Sequence, residues 1–152
     1  MTLELIQIPS DTPPPDRRIA ALLDEADRRI EAFLGERQNR STGGFVPSDF
    51  DAVYRVLRWI EDGHLATGTA FLEWGSGLGV VTCLAATLGW DACGIEIQGD
   101  LVEQAERLAE AFDLPATFVH GTFIPTGDDD VGDTLAASAW LQMGGSDAYE
   151  DL

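Results

Sequence analysis

Residues Phe71 to Thr82 read FLEWGSGLGVVT, and the fold of the whole chain turns on this stretch. A short apolar run meets an acid, Glu73, and then glycine at alternate positions: Gly75, Gly77 and Gly79. Glycine loses more backbone freedom on folding than any other residue, so three of them directly after a strand-like segment need a reason. A tight turn demanding positive φ accounts for one. Three, with an acid two residues before, predict a turn at which a ligand approaches the backbone. Missing side chains open the way, and the free N–H groups of a helix start can receive a negative group.

The flanking sequence sets this turn in an α/β frame. TAFLEW (69–74) reads as a strand, residues 79–89 as an almost uncharged helix packed on a sheet, and DACGIEI (91–97) as a second strand. Leu101, Ala105, Leu108 and Phe112 then mark one face of a helix, and ATFVHGTF (116–123) is a third strand. Strands and helices alternating over short connections imply parallel pairing and right-handed crossovers. Upstream, Ile19, Leu22, Leu23, Ala26, Ile30 and Phe33 predict a helix from Asp16 that Gly35 stops. Ser48, with Asp51 three residues on, reads as the N-cap of another helix carrying Val53, Val56, Leu57 and Ile60. LELIQI (3–8) is a candidate strand, GDDDVGD (127–133) an exposed loop, and TLAASAWLQM (134–143) a candidate helix. These readings divide the chain into residues 1–66 with two helices, a βαβαβ core over 67–125, and an acidic segment over 126–152. The fold class expected is α/β: three parallel strands ordered 3-2-1 in a Rossmann-like αβα sandwich that the sequence leaves incomplete.

Composition bounds the rest. The 152 residues are 45% apolar, enough for one domain with a real core. The longest uncharged stretch, between Glu73 and Asp91, is broken by glycines and falls short of a membrane span, and the N-terminus lacks the pattern of a secretion signal. Cys83 and Cys93 have neither metal spacing nor a disulfide framework, which points to buried thiols in a reducing cytoplasm and to no metal site. Twenty-seven acids face nine basic residues, all arginine, for a net charge of −18. Eight of the nine arginines lie at or before Arg58. A nucleic-acid partner calls for a basic patch, so the expectation is no nucleic acid and no membrane, with a small molecule or a protein as partner. Acid-rich, lysine-free composition fits a salty cytoplasm or a high-GC genome.

The turn departs from a dinucleotide fingerprint, which places its third glycine where this chain has Val80. A second marker is Glu96, ending GIE at the carboxyl end of the next strand, 23 residues after Glu73. A carboxylate there can accept hydrogen bonds from both hydroxyls of an adenosine ribose. EWGSGLG followed by GIEI resembles the two cofactor motifs of class I S-adenosylmethionine-dependent methyltransferases over residues 45–125. The resemblance implies S-adenosylmethionine as cofactor. It places Gly75, Gly77 and Gly79 along the methionine part, Glu73 at its ammonium directly or through water, Glu96 at the ribose, and Thr122 and Phe123 beside adenine, with Ser76 and Ile97 also among the cofactor-binding residues. The chain has HGTFIP where many such enzymes carry an acid or amide for the adenine amino group. It also lacks a DPPY-type or NPPY-type motif, so no catalytic base is assigned; His120, a lone histidine at a strand end, reads more readily as structural than as a base. GGFVPSDF (43–50) reads either as a cofactor lid or as a turn with a helix cap. The functional expectation is the cofactor-binding part of a methyltransferase of unknown acceptor; the alternative is a non-catalytic module that binds the cofactor or a partner. In the full fold strand 1 is central, so its outer edge needs cover from LELIQI, from the acidic tail, or from a second copy in a homodimer.

Overall fold

A computed structural model describes residues 13–37, 46–122 and 124. The first helix, α1, spans Arg17–Arg37. Its start is set by Asp16, whose Oδ1 accepts hydrogen bonds from the N–H groups of Arg18 (2.8 Å) and Ile19 (2.9 Å). Gly35 does not stop it. A terminating glycine takes the left-handed conformation, and Gly35 is not among the glycines with positive φ. Helix α2 spans Phe50–Asp62, and its cap is Asp49, not Ser48: Asp49 Oδ1 accepts from Ala52 N. In GGFVPSDF the described part therefore behaves as a helix cap, while residues 43–45 lie outside the described ones.

The alternating core follows as β1 (Ala70–Trp74), α3 (Val80–Thr87), β2 (Asp91–Glu96), α4 (Gly99–Ala111) and β3 (Thr117–His120). All pairing is parallel, with β2 between β1 and β3, which is the order expected. The register sets Glu73 opposite Gly94 and Glu96 opposite His120. Because side chains alternate across a strand, Phe71, Glu73, Ala92, Gly94, Glu96 and Phe118 share one sheet face. That face meets α3 and α4: a Cβ on Gly79, just before α3, would lie 2.7 Å from Ala105 of α4 and 2.5 Å from Phe118 of β3. The opposite face carries Leu72, Trp74 and Val119, all exposed among the described residues. The described residues thus supply two layers of the sandwich.

One hydrophobic cluster joins the N-terminal helices to the core, from Leu22 and Ala26 of α1 through Leu57 of α2 to Leu84 of α3 and Leu108 of α4. Each buried leucine stabilises the fold by about 1.5–3 kcal/mol relative to exposure. Trp90, just before β2, locks α2 to the sheet: its ring lies 5.6 Å from that of Phe71, and its Nε1 donates to Glu61 Oε2 at 2.6 Å. The outer edge of β1 pairs with no strand among the described residues. LELIQI, Phe123, GDDDVGD, TLAASAWLQM and the acidic tail all lie outside them.

Candidate functional site

The carboxyl ends of β1 and β2 converge on the glycine turn. Gly75 N and Ser76 N both donate to Ile95 O, at 2.8 and 3.0 Å, which pins the turn onto β2. Gly79 N then donates to Ser76 O at 2.8 Å and the chain enters α3. All three glycines have positive φ: +71° at Gly75, +55° at Gly77 and +74° at Gly79. The turn geometry therefore demands glycine at every one of these positions, which corrects the expectation that it would account for one. Beyond φ, the positions differ. A Cβ at Gly79 would strike Phe118 and Ala105, whereas a Cβ at Gly75 would meet nothing within 4 Å. Gly79 is fixed by packing, and Gly75 looks onto space that no described residue fills.

Glu96 sits beneath this turn and is only 7% exposed. Its Oε2 accepts from Gly77 N at 3.0 Å and its Oε1 from Gln98 N at 2.9 Å. One carboxylate thus ties the β1–α3 turn to the β2–α4 turn. An ionised carboxylate offers about four lone-pair sites, so each oxygen keeps capacity for a further donor. Glu73 lies on the same sheet face one strand over. Thr82, two residues inside α3, donates to its Oε2 from both N (2.9 Å) and Oγ1 (2.6 Å). Burial, with the neighbouring Glu96 carboxylate, pushes Glu73 up to about 7, against the lowering effect of the two bonds from Thr82. Burial also pushes the Cys83 thiol up to about 12.

The other expected site residues fall around this centre. Ser76 is buried, and its Oγ has no hydrogen-bond partner among the described residues. Ile97, exposed, follows Glu96 at the lip of β2. Thr122 lies two residues past β3 at the same carboxyl edge; its Oγ1 accepts from Ile124 N at 3.1 Å. Phe123 is outside the described residues. The His120 ring is engaged with the Ile97 carbonyl, 3.0 Å from Nε2, in keeping with a structural role. Two contributors escaped the sequence reading. Thr82 has no signature in an uncharged helix. Gly94 has one: glycine inside a strand marks a close backbone approach, and a Cβ there would lie 2.7 Å from Ser76.

No protein-family profile matches the chain. Over 77 residues it is 37% identical to a 23S rRNA (uracil(747)-C(5))-methyltransferase of Pyrococcus horikoshii, a match covering 51% of this chain and 18% of that protein. The described core is a partial α/β fold, and over the matched residues the chain is similar to a methyltransferase. Solved structures similar to it include an RNA methyltransferase of Salinibacter ruber in complex with S-adenosyl-L-homocysteine, at 30% identity and a TM-score of 0.44, covering 51% of this chain and 50% of that one. Another is the tRNA (uracil-54, C5)-methyltransferase of Pyrococcus abyssi, also with S-adenosyl-L-homocysteine, at 20% identity and a TM-score of 0.43, covering 56% and 22%. The chain thus spans about a fifth of the curated relative's length.

The expectation of no nucleic acid is overturned by the match to an rRNA methyltransferase. Net charge sums over a chain, whereas contacts to phosphates are local, and here eight of the nine arginines are confined to the first 58 residues. No helix among the described residues is long and apolar enough to cross a membrane.

The acceptors and the open turn suit a nucleoside-amino-acid cofactor. Gly75 leaves open the space that a side chain would fill, Glu96 keeps acceptor capacity on both oxygens, and a second carboxylate, Glu73, stands on the same face.

Proposed function

We propose that the protein binds S-adenosylmethionine at this turn and belongs to an enzyme that transfers its methyl group. The observation that carries the reading is the pair of carboxylates, Glu73 and Glu96, on one sheet face beneath a glycine turn. Glu96 accepts from the ribose hydroxyls, Glu73 faces the ammonium, and Gly75, Ser76, Gly77 and Gly79 run along the methionine part. Ile97 lies beside Glu96, and Thr122 and Phe123 flank the adenine end. The cofactor brings an activated sulfonium methyl, so the protein's share is alignment and exclusion of water.

The division at residues 1–66, 67–125 and 126–152 belongs to this reading, as does a cytoplasmic setting, which suits the two free cysteines. RNA containing uracil is the first acceptor to test, because the curated relative is an rRNA uracil-C5 methyltransferase. A cofactor- or partner-binding module without catalysis is the second reading. It is favoured by the anchoring of His120, whose ring Nε2 lies 3.0 Å from the Ile97 carbonyl.

The test is a calorimetric titration with S-adenosylhomocysteine and, separately, with NAD. S-adenosylhomocysteine is expected to bind and NAD to give no heat; NAD binding alone overturns the assignment. Glu96→Gln keeps an acceptor for Gly77 N but loses the charge. It should weaken S-adenosylhomocysteine about tenfold or more with an unchanged circular dichroism spectrum, since a bond to a charged group contributes about 1.5–3 kcal/mol.

A further inference from the structure

Thr82 is wholly buried and spends both its donors on one oxygen of Glu73. Oε1 accepts no hydrogen bond from a described residue, so the carboxylate has one oxygen held from behind and the other uncommitted. We propose that Thr82 is a positioning residue that fixes Glu73 to receive the ammonium of the bound ligand, and that capture of the ammonium is coupled to release of a proton from Glu73. The proposal rests on the cofactor reading given above.

The surroundings of Glu73 supply the physical reason. β2 presents another carboxylate, Glu96, and α3 presents Cys83, whose buried thiol is held neutral. α1 presents Arg29, which is engaged with Glu25 at 2.7 Å. Among the described residues no basic side chain is hydrogen-bonded to Glu73, and its donors there are the two neutral ones of Thr82. Desolvation opposes the charge, and Glu96 opposes it further. Both effects favour the protonated form of Glu73 in the ligand-free protein. An arriving ammonium reverses the balance: the carboxylic O–H bond breaks, the proton passes to buffer, and the carboxylate pairs with the cation. No other bond forms or breaks.

The sign follows. With the group near 7 in the free protein and lower in the complex, affinity is full above about pH 8 and falls as pH drops through 7. Removing the Thr82 hydroxyl removes one bond that stabilises the charged form, so the midpoint of the fall moves upward.

The test is calorimetry of the protein with S-adenosylhomocysteine at pH 6.5 in two buffers of different ionisation enthalpy, repeated across pH 6–9. The wild-type protein should release most of a proton. 5′-Deoxy-5′-methylthioadenosine, which shares the nucleoside but lacks the ammonium, should release none. Thr82→Val should shift the affinity midpoint up by about one pH unit, the equivalent of one modest hydrogen bond. Thr82→Ser should restore it, and Glu73→Gln should bind with neither proton release nor pH dependence. S-adenosylhomocysteine binding without proton release overturns the proposal, as does an unmoved midpoint in Thr82→Val. If S-adenosylhomocysteine binds at no pH in this range, the cofactor reading fails and carries this proposal with it. If Thr82→Val does not fold, proton release by the wild-type protein and its absence in Glu73→Gln decide the matter.

Discussion

At the scale of single residues, the glycines of EWGSGLG separate into two kinds that the sequence cannot distinguish. Gly79 has a φ of +74° and no room, since an added Cβ would lie 2.5 Å from Phe118 and 2.7 Å from Ala105. Gly75 has a nearly identical φ, +71°, but nothing within 4 Å of the same position. Left-handed backbone costs an L-residue roughly 1–2 kcal/mol at either site. Overpacking adds about 1–3 kcal/mol at Gly79 alone. Gly79→Ala is therefore expected to lose about 3 kcal/mol or more in urea unfolding, and Gly75→Ala about 1 kcal/mol. Ligand affinity should rank the other way, because a methyl at Gly75 fills the open space over the turn while the fold persists. Equal losses of stability in the two variants would show that packing does not separate them.

At the scale of elements, the start of α2 gives a sharp check. Asp49 Oδ1 accepts from Ala52 N, and its carboxylate also meets the positive end of the helix dipole. Asp49→Ala should cost about 1 kcal/mol in thermal or chemical unfolding, and Ser48→Ala close to nothing. The reverse ranking would return the cap to Ser48. The two adjacent residues are both good capping types, so sequence alone placed the helix but not its first residue. The same holds elsewhere. The strands were legible because apolar runs of four to six residues bounded by glycine leave few other readings, and parallel order followed from short connections. Gly35 misled because a glycine ends a helix only where the backbone turns left-handed, and backbone angle is not written in the residue. Of the site, Glu73, the glycines and Glu96 lie in consecutive motifs and could be read. The return of Thr82 onto Glu73 could not, since it depends on how α3 folds back over β1. Gly94 was legible in principle, as a lone glycine within a strand, and its role appears only once Ser76 is seen lying over it.

At the scale of the whole molecule, charge is the unbalanced term. Twenty-seven acids against nine arginines leave −18, and the ion pairs among the described residues are local ones within single helices: Glu25 with Arg28 and Arg29, Arg58 with Asp62, and Glu103 with Arg107. Such surface pairs contribute roughly 0–1 kcal/mol each, so losing them to salt costs little. The remaining acids repel one another over distances that salt shortens, from about 10 Å at 0.1 M to about 3 Å at 1 M. Screening therefore relieves more repulsion than it removes attraction, and the folded state, where the charges are closest, gains most. Raising potassium chloride from 0.05 to 1 M at pH 8 is expected to raise the melting temperature by several degrees, on the order of 1–2 kcal/mol of stability for a chain of this size. General strengthening of apolar burial by solutes is separable from this effect. It should persist at pH 4.5, where the carboxylates approach their ordinary range of about 3.9–4.3 and the screening gain shrinks. A melting temperature indifferent to salt at pH 8 would overturn the expected gain, and a salt gain equally large at pH 4.5 would remove electrostatic repulsion as its cause.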